Sequence, residues 1–84
     1  MNTIILYTRP GCHLCEDGQW MLEVALRDHQ LPVQLIDISG RADLIDRYGI
    51  RIPVLSHAQL AHELDWPFTP EDILAWLGPL LATG

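Results

Sequence analysis

The sequence predicts a single small α/β domain, residues 1–84, in which helices pack on the faces of one sheet. A short apolar run, Ile4 to Tyr7, is followed by a turn sequence and then by an amphipathic segment, which is the pattern of a strand that leads into a helix. Further apolar runs alternate with helical patterns, and the last segment carries a strong signal for a helix N-terminus. A chain of 84 residues is long enough for one core but not for two.

The first strand and the first helix are predicted from the N-terminal third of the chain. Thr3–Thr8 lacks polar alternation, so this strand is expected to be buried on both faces. The first helix is predicted over about His13–His29, with apolar and polar residues on opposite sides. Glycine costs about 1 kcal/mol against alanine inside a helix. We therefore expect Gly18 to mark a close approach of this helix to the sheet.

A second strand and a short second helix follow. Val33–Ile38 is an apolar run with the length of a strand. Ser39 and Gly40 are expected to start the second helix, and Gly49 lies where the residue after a helix C-terminus is expected. The inward positions of this helix are predicted to be Leu44, Ile45 and Tyr48.

Two more strands are predicted before the last helix. Ile52–Ser56 forms the third strand, and Pro53 must lie at its beginning because proline cannot donate a hydrogen bond to the ladder. Ala58–Glu63 is predicted as the fourth strand, joined to the third by a turn near His57. With the last helix, the predicted order is β-α-β-α-β-β-α.

The last helix has the clearest start in the sequence. Thr69 is expected to cap it, Pro70 takes the first helical position, and two acidic residues follow in the first turn. Gly78 and Pro79 are expected to kink or end this helix. Its inward stripe is predicted to consist of Ile73, Trp76, Leu77 and Leu80.

Composition argues against several classes of function. Eleven Asp and Glu residues against five bases, all of them arginine, give a net charge of −6. With so few bases, we expect neither nucleic acid nor an anionic membrane as a partner. The first residues lack the charged region of a secretion signal, and no apolar segment approaches the roughly 20 residues that span a bilayer. These features predict a cytoplasmic protein.

The two cysteines, Cys12 and Cys15, lie at the predicted junction of strand and helix. The first N–H groups of a helix and the positive end of its dipole stabilise an anion there, so a thiol is biased towards the reactive thiolate. Without an export signal, a close pair at this place indicates redox chemistry or metal binding rather than a structural disulfide. Arg9 and His13 add positive charge nearby. A buried, inert dithiol is the alternative.

These residues resemble the glutaredoxin branch of the thioredoxin fold. The resemblance rests on a strand that leads through a cysteine-bearing turn into a helix. The turn is Arg9-Pro10-Gly11-Cys12-His13-Leu14-Cys15, and Ile52-Pro53 follows at the entry to a later strand. The stretch from Tyr48 to Pro53 is also similar to the one that leads into the cis-proline of thioredoxins. The resemblance implies a central four-stranded mixed sheet with helices on both faces.

The resemblance also implies roles for particular residues. Cys12 would be the nucleophile and Cys15 the resolving thiol of a thiol–disulfide oxidoreductase. Pro53 would be a cis-proline beside the cysteine pair, and the backbone of Ile52 would hydrogen-bond a bound peptide or glutathione. The residues expected to bind the substrate are Arg9, His13, Leu14, Arg51, Ile52 and Pro53.

The expected partners follow from the same resemblance and from two departures from it. His13-Leu14 replaces the usual Pro-Tyr between the cysteines, and residues 63–67, Glu-Leu-Asp-Trp-Pro, stand where glutaredoxins hold the glutathione amino end. No tightly bound cofactor is implied, and glutathione is a candidate co-substrate. The substrate would be a disulfide-containing protein or a glutathione mixed disulfide. Glutathione or a flavin-dependent reductase would supply electrons, and a monomer is expected.

Two other functions are alternatives. A relative of this fold could bind an iron–sulfur cluster or another metal through Cys12, but zinc needs four ligands in defined geometry, and His57 and His62 are expected to be solvated near a hairpin. A domain that kept the fold and lost catalysis would serve as an interaction module. Trp20, on the polar side of the first helix, and Trp66 are expected to be partly buried.

Overall fold

Four strands and three helices follow one another in the predicted order in the computed structural model, which describes residues 3–81. The elements are β1 (Ile4–Thr8), α1 (His13–Ala25), β2 (Val33–Asp37), α2 (Ala42–Tyr48), β3 (Val54–Ser56), β4 (Leu64–Asp65) and α3 (Pro70–Leu81). The thioredoxin-like fold predicted from the sequence is confirmed. None of the helices so described is long and apolar enough to cross a membrane.

The strands form one mixed sheet in the order β2-β1-β3-β4. β1 and β2 are parallel, with Leu6 opposite Leu35, whereas β3 is antiparallel to both β1 and β4. β1 is therefore a central strand. Because β1 and β2 are parallel, their carboxyl ends lie at the same edge of the sheet. The turn that leads into α1 starts from this edge.

Helices cover both faces of the sheet, as predicted. α1 and α3 pack on one face over the larger part of the core, which includes Leu6, Leu55 and Ile73. On the other face, Tyr48 of α2 packs with Ile38 in a smaller cluster. α2 has seven residues and covers this face only in part. As a result, β1 is fully buried only on the α1 and α3 face, and the predicted burial on both faces was wrong.

β2 is an edge strand with exposed side chains. Val33 and Leu35 lie on the α1 face of the sheet, yet they are 41% and 47% exposed. The reason is that α1 packs over the centre of the sheet, where Leu22 joins the core. A groove of about 320 Å³ lies between the helix and the strand, lined by Gln19, Leu22, Glu23, Leu26, Val33 and Leu35.

α1 is shorter than predicted. It ends at Ala25, and the chain continues to His29 in turns. In these turns the N–H of Arg27 donates to the carbonyl of Val24 at 3.3 Å, and the N–H of His29 donates to the carbonyl of Leu26 at 3.0 Å. Such i to i−3 hydrogen bonds preserve a nearly helical spacing. This is why the sequence pattern suggested four more helical residues.

α2 starts later than predicted, because the preceding residues form a turn. The N–H of Ser39 donates to Oδ1 of Asp37 at 2.8 Å, and Gly40 has a φ of 76°, in the left-handed region. Tyr48 is buried as predicted, but Ile45 is 46% exposed, so its inward placement was wrong. Gly49 follows the helix with a right-handed φ of −50°.

β4 lies at Leu64–Asp65 and not at the predicted Ala58–Glu63. Its pairing with β3 begins where Leu64 faces Leu55. The intervening residues turn around the side chain of His57, whose Nδ1 accepts the N–H of Gln59 at 3.1 Å. Histidine is not among the residues that signal a turn in a sequence. The position of β4 was therefore mispredicted.

α3 begins as predicted. The N–H of Asp72 donates to Oγ1 of Thr69 at 3.1 Å, and the N–H of Thr69 donates to the Asp72 carboxylate at 2.9 Å, which is a reciprocal cap. Gly78 and Pro79 were expected to kink or end this helix; the end is wrong, because the helix continues to Leu81. Pro79 lies inside the helix, where its ring nitrogen has no hydrogen to donate to a preceding carbonyl.

The three tryptophans differ in burial. Trp20 is 59% exposed, so the expected partial burial was wrong. Trp66 is half-buried as expected, in edge contact with Phe68 at a centroid distance of 5.1 Å. Trp76 is half-buried rather than central in the core. Its indole N–H donates to the carbonyl of His62 at 2.7 Å, which holds the ring at the margin.

Gly18 brings α1 close to the segment that precedes β3, and it explains the glycine in this helix. A Cβ atom on Gly18 would lie 2.9 Å from Cγ of Pro53 and 3.3 Å from Cζ of Phe68. Gly18, Pro53 and Phe68 are all buried. The absence of a side chain at position 18 therefore sets the distance between α1 and Pro53.

We expect Gly18→Ala to destabilise the protein relative to Gly78→Ala. The added Cβ overpacks against Pro53, which costs about 1–3 kcal/mol, and the gain in helix propensity offsets only about 1 kcal/mol of this. At Gly78 a Cβ meets nothing within 4 Å, so this control should show the propensity gain alone. Urea unfolding measures both free energies. Equal stabilisation of the two variants would contradict the close-packing argument.

Candidate functional site

Cys12 is the N-cap residue of α1, at the carboxyl edge of β1. Its backbone is extended, with φ −94° and ψ 106°, and its Sγ accepts the N–H of Cys15 at 3.1 Å. The preceding Gly11 has a φ of 75°, which glycine adopts without strain and which sharpens the turn out of β1. The structure thus places the sulfur of Cys12 at the positive end of the helix dipole.

Cys12 and Cys15 form a disulfide, with their Cα atoms 5.2 Å apart. Cys15 lies one turn into α1 and is only 3% exposed, whereas Cys12 is partly exposed. A reagent from solvent therefore reaches the sulfur of Cys12 first, and the sulfur of Cys15 is shielded and can react only with that of Cys12. This arrangement of an accessible sulfur at a helix N-terminus and a shielded partner supports a redox type of function.

Arg9, His13 and Leu14 surround the cysteine pair and are exposed to solvent. Arg9 also acts electrostatically on Asp37, at the end of the neighbouring strand β2. The pKa of Asp37 lies below its ordinary value, mainly because Ser39 donates hydrogen bonds to its carboxylate, and Arg9 adds a smaller electrostatic contribution.

The segment Ile52–Pro53 lies beside the cysteine-bearing helix. The peptide bond between the two residues is cis, as the resemblance implies. Pro53 packs on Gly18, which is one turn beyond Cys15 in α1. The carbonyl of Pro53 accepts the N–H of Trp66 at 3.2 Å, so the segment is also tied to the chain after β4.

A second cis peptide bond joins Trp66 and Pro67. This bond was not predicted from the sequence.

Arg51, which directly precedes this segment, is held by two carboxylates. Its Nε donates to Asp65 at 3.0 Å, and its Nη2 donates to Asp65 at 2.8 Å and to Glu63 at 2.9 Å. Its Nη1 donates to the carbonyl of Arg47 at 3.3 Å. Arg51 thus lies next to the expected binding segment, but its charge is already paired within the protein.

Tyr48 extends this cluster into the core. Its hydroxyl donates to the carboxylate of Glu63, and its ring stacks on Tyr7 with a centroid distance of 4.0 Å. The guanidinium of Arg51 lies over the same ring, 5.3 Å from its centroid. Burial raises the pKa of Tyr48, and the hydrogen bonds with Glu63 and Tyr7 raise it further, so the phenol stays protonated and donates.

The ion-pair cluster of Arg51, Glu63 and Asp65 was not predicted from the sequence. The signal that could have revealed it is the alternation of the two acids, which places both side chains on one face of a strand. That signal was lost because β4 was predicted to end at Glu63.

His57 is buried, which contradicts the prediction that it is solvated, whereas His62 is exposed as predicted. Nε2 of His57 has no hydrogen-bond partner in the part of the chain that the structure describes. His57 follows β3, which runs antiparallel to β1, so it lies at the opposite edge of the sheet from Cys12. Among the described residues, no three His, Cys, Asp or Glu side chains are grouped to hold a metal ion.

Comparisons with known proteins agree with this geometry. The profile of the family described as Glutaredoxin-like domain (DUF836) matches residues 3–78. The X-ray structure of the structural genomics target protein XcR50 from X. campestris is 36% identical in sequence, with a TM-score of 0.77, over 90% of this chain and 96% of that one. Protein Ne2328 from Nitrosomonas europaea, solved by NMR, is 29% identical, with a TM-score of 0.73, over 88% of each chain. No curated protein matches the chain.

The ion pair of Arg51 and Asp65 is expected to make stability depend on pH in the acid range. The hydrogen bond from Arg51 lowers the pKa of Asp65 from its usual 3.8, so the ionised carboxylate stabilises the folded state above that pH. This contribution is lost as the pH falls below it. Because both side chains are partly exposed, we expect only about 0.2–1 kcal/mol.

Asp65→Asn should therefore lower the urea midpoint near neutral pH and lower it less as the solution is acidified below the usual pKa of aspartate. Asp28→Asn, which removes an exposed carboxylate from the turn after α1, is the matched control. A difference between wild type and Asp65→Asn that stays constant down to the acid limit would show that the ion pair is not its source.

Proposed function

This chain belongs to the glutaredoxin-like domain family, and on that premise we propose that it is a thiol–disulfide oxidoreductase that uses Cys12 and Cys15. The observation that carries the proposal is the position of Cys12. It caps α1, accepts a hydrogen bond from the N–H of Cys15, and forms a disulfide with that buried partner.

The helix terminus supports the role of Cys12 as the attacking sulfur. In the reduced protein, a thiolate at this place would accept the N–H of Cys15 and face the positive end of the α1 dipole. Both effects favour the thiolate over the thiol. Cys15 is buried one turn inside the helix and lacks solvent access, so it is suited to the second step.

The proposed reaction moves two electrons in two exchange steps. The Cys12 thiolate attacks one sulfur of a substrate disulfide, a bond forms between these sulfurs, and the other half of the substrate leaves as a thiolate that takes up a proton. Cys15 then loses its proton and attacks the sulfur of Cys12. This step releases the second half as a thiol and forms the disulfide between Cys12 and Cys15. The substrate is reduced by two electrons, and the protein dithiol is oxidised.

The substrate and the electron donor are part of the proposal. A disulfide in a protein, or a mixed disulfide with glutathione, would lie across Cys12 and along the backbone of Ile52 next to Pro53. Arg9, His13 and Leu14 are exposed around Cys12 and would contact it from the other side. Glutathione or a flavin-dependent reductase would return the dithiol to its reduced form. A reducing compartment such as the cytoplasm suits this cycle.

Two matched substitutions test the roles of the cysteines. Cys12→Ser should abolish turnover of a disulfide substrate, since a serine hydroxyl at this position is not ionised and cannot attack sulfur. Cys15→Ser should retain the first step and accumulate a mixed disulfide, visible in the intact mass. Full activity of Cys12→Ser, or the same trapped adduct in both variants, would overturn the assignment.

A redox titration tests the function without a chosen substrate. The protein is equilibrated in glutathione buffers of graded potential, and intact mass distinguishes the dithiol, the disulfide and any glutathione adduct. We expect the disulfide to open above about −300 mV, the range of labile pairs. A pair that never closes, or that resists reduction throughout, would exclude the redox role and favour an interaction domain.

A further inference from the structure

We propose that the cysteine site selects disulfides in neutral or basic polypeptide segments over glutathione disulfide, because Glu63 and Asp65 already occupy the arginine beside its binding segment. This inference rests on the proposed function. It concerns only which disulfides reach Cys12, and its basis is the geometry of Arg51.

The guanidinium of Arg51 has little capacity left for a ligand carboxylate. Of its five N–H donors, Nε uses one on Asp65, Nη2 uses two on Asp65 and Glu63, and Nη1 uses one on the Arg47 carbonyl. Asp65 takes the edge formed by Nε and Nη2 in a bidentate pair, which is the geometry that an incoming carboxylate would need. Glu63 is further fixed by the hydroxyl of Tyr48.

The cluster of Arg51, Glu63 and Asp65 lies next to the segment along which a substrate would bind. Arg51 directly precedes Ile52–Pro53, and Asp65 faces Val54 across the ladder of β3 and β4. The side chains of Arg51, Glu63 and Asp65 are 33%, 23% and 48% exposed, so the cluster opens to solvent. Arg51, Glu63 and Asp65 together carry one net negative charge, and Arg47, whose guanidinium lies over the Tyr48 ring 5.4 Å from its centroid, is a further cation beside them.

Glutathione does not fit this electrostatic pattern. It carries two carboxylates and one ammonium group, so its net charge at neutral pH is about −1. To use Arg51, one of its carboxylates would have to displace Asp65 or Glu63 and leave that acid unpaired. Arg9 is exposed and offers another cation, but it is only one positive charge for the two carboxylates of glutathione. The peptide backbone of a protein substrate carries no charge, so it does not need a free arginine.

A basic flank on the substrate would instead gain from the same cluster. A lysine or arginine near the substrate disulfide would approach the partly exposed carboxylates of Glu63 and Asp65, and Glu16 and Asp17 expose two more acids in the first turns of α1. The whole chain carries a net charge of −6, which steers basic partners towards it. The preferred substrate is therefore a protein disulfide flanked by neutral or basic residues.

The test compares three disulfide probes on the reduced full-length protein: glutathione disulfide and two synthetic peptides with the same disulfide, flanked by lysine in one and by glutamate in the other. Second-order rate constants are measured by acid quenching and intact mass. We expect the lysine peptide to react about tenfold faster than the glutamate peptide at low salt. The two rates should converge at about 1 M salt, where the screening length is about 3 Å.

The double variant Glu63→Gln/Asp65→Asn releases Arg51 while keeping side chains that still accept hydrogen bonds. Its rates with the glutamate peptide and glutathione disulfide should rise severalfold, and the preference for the lysine peptide should shrink. The control Glu23→Gln/Asp28→Asn removes the same charge from the last turn of α1 and the turn that follows it, far from Cys12, and should keep the preference. If the double variant does not fold, Asp65→Asn alone should show a smaller shift in the same direction.

The outcomes separate this inference from the proposed function. Equal rates for the two peptides in wild type, or glutathione disulfide as the fastest probe, would overturn the selectivity and leave the oxidoreductase in place. An equal shift in the control variant would overturn it too, because net charge alone would then be the cause. Failure to reduce any probe would overturn the proposed function and this inference with it.

Discussion

The close contact between Gly18 and Pro53 is the constraint on which the rest of the site depends. It fixes the depth at which α1 lies on the sheet, and α1 in turn carries Cys12 at its start and Cys15 one turn later. If α1 were displaced from the sheet by the thickness of one methyl group, both sulfur atoms would move away from the segment before β3. The fold uses a residue that is poor for helix formation at this point because packing against Phe68 and the proline outweighs propensity.

A second set of contacts fixes the other side of the same segment. Arg51 binds Glu63 and Asp65, and Trp66 donates to the carbonyl of Pro53, so the short strand β4 holds the segment by charge and by backbone hydrogen bonds. β4 has only two residues, and its ladder alone would be a weak restraint. The ion pairs extend the connection between β4 and this segment beyond the hydrogen bonds of the strand ladder. Under the proposed selectivity, the same cluster also determines which charges face a substrate.

Local patterns predicted the parts of the fold that local interactions determine. The cap at Thr69 and the helix start at Cys12 each depend on a few neighbouring residues, and the structure confirms both. Gly18 was singled out by its low helix propensity, although Pro53 and Phe68, which it packs against, lie far along the chain. The position of β4 and the burial of His57 were mispredicted because a side-chain turn and cross-strand register decide them, and neither leaves a periodic signal. The partners of Arg51 lie at least twelve residues away in sequence, so the only local signal for that cluster was the alternation of the two acids, which the misplaced β4 concealed.

Cys12 is at once the cap of α1 and one half of the disulfide, so the redox state of the pair and the stability of the helix are thermodynamically linked. In the oxidised protein a neutral sulfur accepts the N–H of Cys15; after reduction a thiolate would accept the same hydrogen bond as a charged group, and such bonds are stronger. The disulfide spans only three positions, where the entropic gain from a cross-link is small. By linkage, any free energy that the thiolate adds to α1 also favours the acceptance of electrons by the pair. The folding stability of the reduced protein and the oxidising strength of the pair would then rise together. The relation is reversed in a protein whose disulfide serves only to cross-link the chain.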